Sequence, residues 1–166
     1  MRIKNFTKAT AVLALALSTS YFQKEIAQAA SDTAQALQVV QAAIAIAQVS
    51  DLDFGTAVQG DASKTVVPGA AENAENASFN VTGEPGLAYT ITLPADGSVT
   101  MVTGGGATAN EQIAVNSFVS NPAAGANGLL DGTGAQSLFV GATRAALLAT
   151  QVTGGYSSNF TVDVVY

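Results

Sequence analysis

Carboxylates are the side chains of this sequence whose spacing could do acid–base work. Asp51 and Asp53 stand two apart, so on an extended strand they share a face, and Glu72 and Glu75 stand three apart. Two carboxyl groups held close together are what glycoside cleavage requires. Acids wetted on a surface show the same spacing. Ser63 adjoins Lys64, but the S-x-x-K spacing of an amine-activated serine is missing, and a solvated loop explains the pair. The chain contains no His and no Cys. Ser-His-Asp and Cys-His nucleophile systems, disulfides and His/Cys metal sites are therefore excluded. Gly104-Gly105-Gly106 lacks the Lys and the helix start of a phosphate-binding loop. No D-x-[DN]-x-[DN]-G calcium loop is present, so scattered carboxylates would bind calcium weakly at best. Asn76, Asn80 and Asn159 head N-x-S/T glycosylation patterns. The sequence predicts no enzyme, no cofactor and no catalytic, cofactor-binding or metal residues.

Charge narrows the partners. The 166 residues carry six basic and twelve acidic groups, and only 11% are charged against 48% apolar. Residues 1–8 hold Arg2, Lys4 and Lys8, residues 9–22 are mostly apolar and uncharged, and a small-x-small site ends at Ala27-Gln28-Ala29. That order is the order of a secretory signal peptide, cut after Ala29 or, alternatively, after Ala30. The apolar run is short for a membrane span, so no stable membrane insertion is expected after cleavage. Residues 30–166 keep Lys64 and Arg144 as their only cations against eleven acids, a net charge of −9. Nucleic-acid binding needs a basic footprint that two isolated cations cannot build. A neutral or cationic partner, or the chain itself, fits better. The expected location is exported: periplasm, cell surface or extracellular.

The elements follow from periodicity and turn residues. All sixteen glycines lie at Gly55 or beyond, and residues 30–54 have none. Within 34–49 the composition suits a short helix over 33–40, while Ile44 and Ile46 on one face suit a strand over 41–49. Phe79 and Val81, then Tyr89, Ile91 and Leu93, alternate on either side of Glu84-Pro85-Gly86. Residues 76–93 thus read as a β-hairpin with Gly86 at positive φ after Pro85. Further strands are expected at Val99–Val102, from Ile113 through Val115 toward Phe118, around Leu138 and Val140, and from Tyr156 to Tyr166. Residues 121–134 read as a loop, and Ala142 to Ala149 as one helical turn or a sheet edge. Seven or eight short strands predict an all-β antiparallel sandwich. Its predicted core holds Phe54, Phe79, Tyr89, Ile91, Leu138, Phe160 and Val162.

Three ordered stretches carry a resemblance: Leu52-Asp53-Phe54-Gly55-Thr56, the run from Phe79 to Pro94 (FNVTGEPGLAYTITLP), and Tyr156 to Tyr166 (YSSNFTVDVVY). They are similar to a bacterial family of exported domains of unknown function, with L-D-F-G-T, V-T-G-x-P-G-x-x-Y-T-I-T-L-P and F-T-V-x-V-x-Y motifs. Leu138 to Ala142 fits the same pattern, and 142–153 departs from it. The resemblance covers most of 44–166. It implies an immunoglobulin-like sandwich related to spore-coat and fimbrial subunits, without enzymatic activity. It also implies assembly outside the cytoplasm, with a periplasmic chaperone and an outer-membrane usher as partners.

The expected organisation is a signal peptide over 1–29, an N-terminal segment over 30–49 and a sandwich domain over 50–166. The expected function is an exported, fimbria-like structural subunit of a bacterial surface appendage or coat. A monomeric secreted or periplasmic binding module for glycan or matrix is the alternative. Self-association by strand exchange would use residues 37–49, donated to a neighbour. An ordinary first strand within its own sheet is the other reading of that segment.

Overall fold

The computed structural model describes residues 30–166, so the signal peptide expected over 1–29 lies outside the described residues. The chain divides into two units, Met1–Gln38 and Val39–Tyr166. In the first, residues 30–38 are exposed and without regular structure. The short helix expected over 33–40 is not formed. So short a helix is marginal in water unless it packs against something, and these residues bury nothing.

The second unit contains nine strands in antiparallel pairing: β1 (Ala45–Ser50), β2 (Lys64–Thr65), β3 (Ala77–Thr82), β4 (Ala88–Thr92), β5 (Val99–Val102), β6 (Gln112–Asn121), β7 (Gly125–Leu129), β8 (Ala135–Arg144) and β9 (Asp163–Val165). One sheet runs β1-β3-β8-β6-β5 with the short β2 also on β8, and the smaller runs β7-β4-β9. Together they form a curled antiparallel β-sandwich of the immunoglobulin-like kind, as the alternation predicted.

The expected hairpin at 76–93 is corrected. Both of its strands exist, and Leu87 N–H donates to Glu84 O at 3.3 Å across a turn with Gly86 at φ +73°. However, β3 pairs with β1 and β8, while β4 pairs with β7 and β9. The chain passes from one sheet to the other instead of folding back within one. Inward-facing Val81, Tyr89 and Ile91 alternate identically in either arrangement, so periodicity could not separate them. Residues 130–134 make the same crossing from β7 to β8. The two crossings are bound together, Gly83 N–H to Gly134 O at 2.9 Å and Gly86 N–H to Asp131 O at 3.1 Å.

The loop expected at 121–134 contains β7. Gly128 pairs with Tyr89, and a Cβ on Gly128 would lie 2.5 Å from the Tyr89 ring. The tyrosine covers a strand that has no bulk of its own, which is why the strand shows no alternation. The C-terminal strand is shorter than expected: β9 spans three residues, and Ser157 adds an isolated bridge to Val102. Exposure alternates along 159–165, with Val162 buried, Phe160 and Val164 half-buried, and Asn159, Thr161, Asp163 and Val165 exposed, while Tyr166 is exposed at the end. β8 runs through Arg144, and neither helix nor strand forms over 145–153.

The core is two clusters rather than one. Ala77, Val81, Tyr89, Ile91, Leu130, Leu138, Val140 and Val162 form the larger. Phe54 belongs to a second, with Val66, Val99, Val115 and Ala142. Leu52, Phe118 and Phe160 pack against both. Phe79 and Phe160 are only partly buried and meet edge to face at 6.3 Å.

Candidate functional site

The residues whose spacing suggested chemistry are occupied with local structure. Asp51 and Asp53 follow β1 on an irregular segment and not on a strand. The Asp53 carboxylate accepts the Gly55 N–H at 2.7 Å, and Asp51 accepts from the Gln48 side chain. Glu75 pairs with Lys64 at 2.8 Å, and Lys64 also donates to Phe54 O at 3.0 Å. Lys64 thereby ties three segments together and does not activate Ser63. Asn76 is fully buried. Its amide nitrogen donates to the Pro68 and Ala71 carbonyls, and its oxygen accepts the Asn73 N–H. That engagement removes Asn76 as a glycan acceptor, whereas Asn80 and Asn159 are exposed. Among the described residues no three His, Cys, Asp or Glu side chains gather as metal ligands would.

Two features remain. The first is a cavity of about 590 Å³ beneath the segments 52–59 and 151–156, with Met101, Ile113, Arg144 and Leu147 also in its wall. Gln151, 3% exposed, holds the covering segment in place. Its amide nitrogen donates to Asn110 O at 2.8 Å and Gln112 O at 3.1 Å, and its oxygen accepts the Leu148 N–H. The single Tyr156 O–H lies within hydrogen-bond distance of both Val152 O at 2.7 Å and Asn110 O at 2.9 Å. In the sequence Arg144 is one of two isolated cations of residues 30–166. The ladder pairs it with Lys64 across β2 and β8, so the two meet at one register position eighty residues apart in sequence.

The second feature is the free edge. β1 ends the larger sheet, and among the described residues its outer side has no partner strand. The expected first strand is therefore paired within its own domain over Ala45–Ser50, while residues 37–44 are unpaired. Tyr166 anchors the junction: its hydroxyl accepts the Glu84 N–H at 2.6 Å and donates to Ala42 O at 3.1 Å. The Glu84 carboxylate accepts the Ala42 N–H at 2.9 Å. Upstream of Ala42, Leu37, Val39 and Val40 are 86%, 89% and 82% exposed.

This architecture defines an all-β domain of the immunoglobulin-like class, with β1 as an uncharged edge strand and a cavity lined by the segments 52–59 and 151–156. The chain belongs to the bacterial family described as a domain of unknown function (DUF4402), whose model matches residues 44–166. The match begins one residue before β1, so the family unit is the sandwich and residues 30–43 precede it. No curated protein and no solved structure matches the chain.

Proposed function

We propose that this protein is an exported structural subunit of a bacterial surface appendage or coat, assembled by adding a strand from one copy to the sheet of the next. The observation that carries this reading is the unpaired, exposed segment leading into an edge strand whose outer side is open. Such an edge offers a full row of backbone donors and acceptors, and single-chain proteins normally cover or charge it. Here the segment before it carries Gln, Ala, Leu and Val and no charge from Thr33 to Gln48. Backbone hydrogen bonds would supply affinity, and alternate side chains would anchor in the neighbour. A chaperone would shield the edge before assembly. Among the described residues no helix is long and apolar enough to cross a membrane.

The test compares the exported chain with a variant lacking 30–43, which leaves β1 in place. Sedimentation and cross-linking should give ladders for the full chain and monomer for the variant. A synthetic peptide covering 36–50 should cap the ladders. A full chain that stays monomeric at high concentration, with no polymer in sheared surface fractions, overturns this reading and leaves the binding module.

A further inference from the structure

β8 presents an inward row of alternate residues, Leu138, Val140, Ala142 and Arg144. The first three are fully buried, and Arg144 is 5% exposed. An arginine thus continues a core-facing row, and it lines a cavity. Arginine does not lose its proton in a protein, and a buried charge without a partner is costly. Arg144 nevertheless has no counter-ion: the ion pair among the described residues is Lys64–Glu75. Its one hydrogen bond runs from Nη1 to the Ala145 carbonyl at 3.0 Å. The side chain lines the end cavity of about 590 Å³, a size typical of small-molecule sites. Of the other polar side chains there, Asp53, Gln59, Gln151 and Tyr156 are already hydrogen-bonded, and Thr56 and Thr153 are not. Gln151 and Tyr156 bond backbone carbonyls, and Asp53, the acid in the wall, accepts the Gly55 N–H. Leu52, Phe54, Met101, Ile113 and Leu147 make much of the remaining wall apolar.

We propose that this cavity binds the carboxylate of an apolar-bodied anion, with Arg144 taking the carboxylate and the apolar wall taking the body. A guanidinium fork matches a carboxylate in two parallel N–H···O bonds. A phosphate dianion would bring a second charge into a domain that is already strongly acidic. A free small acid and the C-terminus of an apolar peptide present the same group. The inference holds whether the domain polymerises or stands alone.

Titration calorimetry on the exported chain with four probes decides it: octanoate, octanamide, and the peptide Ala-Val-Val-Leu with a free or an amidated C-terminus. At least one acid should bind, and its neutral amide should bind at least about tenfold more weakly. Binding of octanoate identifies a small acid as the source, and binding of the free peptide alone identifies a C-terminus. Arg144→Gln should reduce the acid to the affinity of its amide and leave the amide unchanged. If neither acid binds better than its amide, or if Arg144→Gln binds the acid as well as the unsubstituted chain, the proposal is wrong. Should Arg144→Gln not fold, the acid and amide comparison on the unsubstituted chain still decides.

Discussion

Asn76 shows how a side chain that reads as a surface acceptor becomes structural. Its amide satisfies the carbonyls of Pro68 and Ala71 and the N–H of Asn73, all in the connection between β2 and β3. Asn76→Ala should leave those groups unpaired next to a buried position and cost about 1–3 kcal/mol in urea denaturation. Gly86 is the second single residue with a defined demand. At φ +73° a Cβ at this position would have nothing within 4 Å, so Gly86→Val meets no clash at its Cβ. Backbone strain alone should cost about 1–2 kcal/mol, and Gly86→Asn should recover most of it because Asn tolerates the left-handed region. Equal stability of all three proteins in thermal melts would rule out the turn geometry. Tyr89 illustrates a buried phenol with its polar end served: it donates to Gln136 Oε1 at 2.7 Å, and burial pushes its pKa up.

At the scale of elements, the row on β8 and the crossings between sheets carry the energetics. Leu138→Ala removes a side chain with no exposure and should cost about 3–4 kcal/mol. Phe79→Ala, taken from a half-buried position, should cost clearly less. Equal losses in chemical denaturation would contradict the difference in burial between the two positions. The crossing from β7 to β8 is organised by Asp131, whose Oδ1 accepts from the Thr133 hydroxyl, Thr133 N–H and Ala135 N–H. The Thr133 hydroxyl first, then the backbone N–H groups, holds its carboxyl below the usual carboxylate range. A depressed folded-state pKa contributes stability above the unfolded pKa, and that stability is lost as pH falls through the folded pKa. Asp131→Asn should therefore flatten the acid limb of the stability–pH curve. A limb of unchanged steepness would remove the turn from the account of acid unfolding.

At the scale of the whole molecule, an open edge strand and an unpaired segment before it set the behaviour in solution. The 30–43 deletion should leave the melting temperature of the sandwich nearly unchanged, because the described residues of that segment are exposed. Concentration-dependent assembly should disappear with the deletion. A large loss of stability, read by differential scanning calorimetry, would mean that the segment belongs to the folded unit. Overall charge shapes the same behaviour: two cations against eleven acids over 30–166 make association salt-dependent, strengthening as salt screens repulsion between copies.

Composition and periodicity alone determined the all-β class, the positive φ of Gly86 and the inward faces of most strands, since burial on one side of a pleated strand forces a period of two. Ile113 and Val115 face inward on that period, yet Phe118 also reaches the core. The β6 bulge at Ser117, with φ 53°, shifts the phase, and Asp96 pins it by accepting the Ser117 N–H at 2.6 Å. Phe118 was recognisable as apolar, but its phase was not, because a bulge is made by a contact from another turn. The same limit hid β7, covered by the Tyr89 ring, and the crossing at 83–87, where alternation is the same within one sheet or between two. The end cavity was decided by tertiary structure entirely. Arg144 continues the alternation of Leu138, Val140 and Ala142, but only the packing of segments 52–59 and 151–156 around it turns a surface-type residue into a buried cation without a counter-ion.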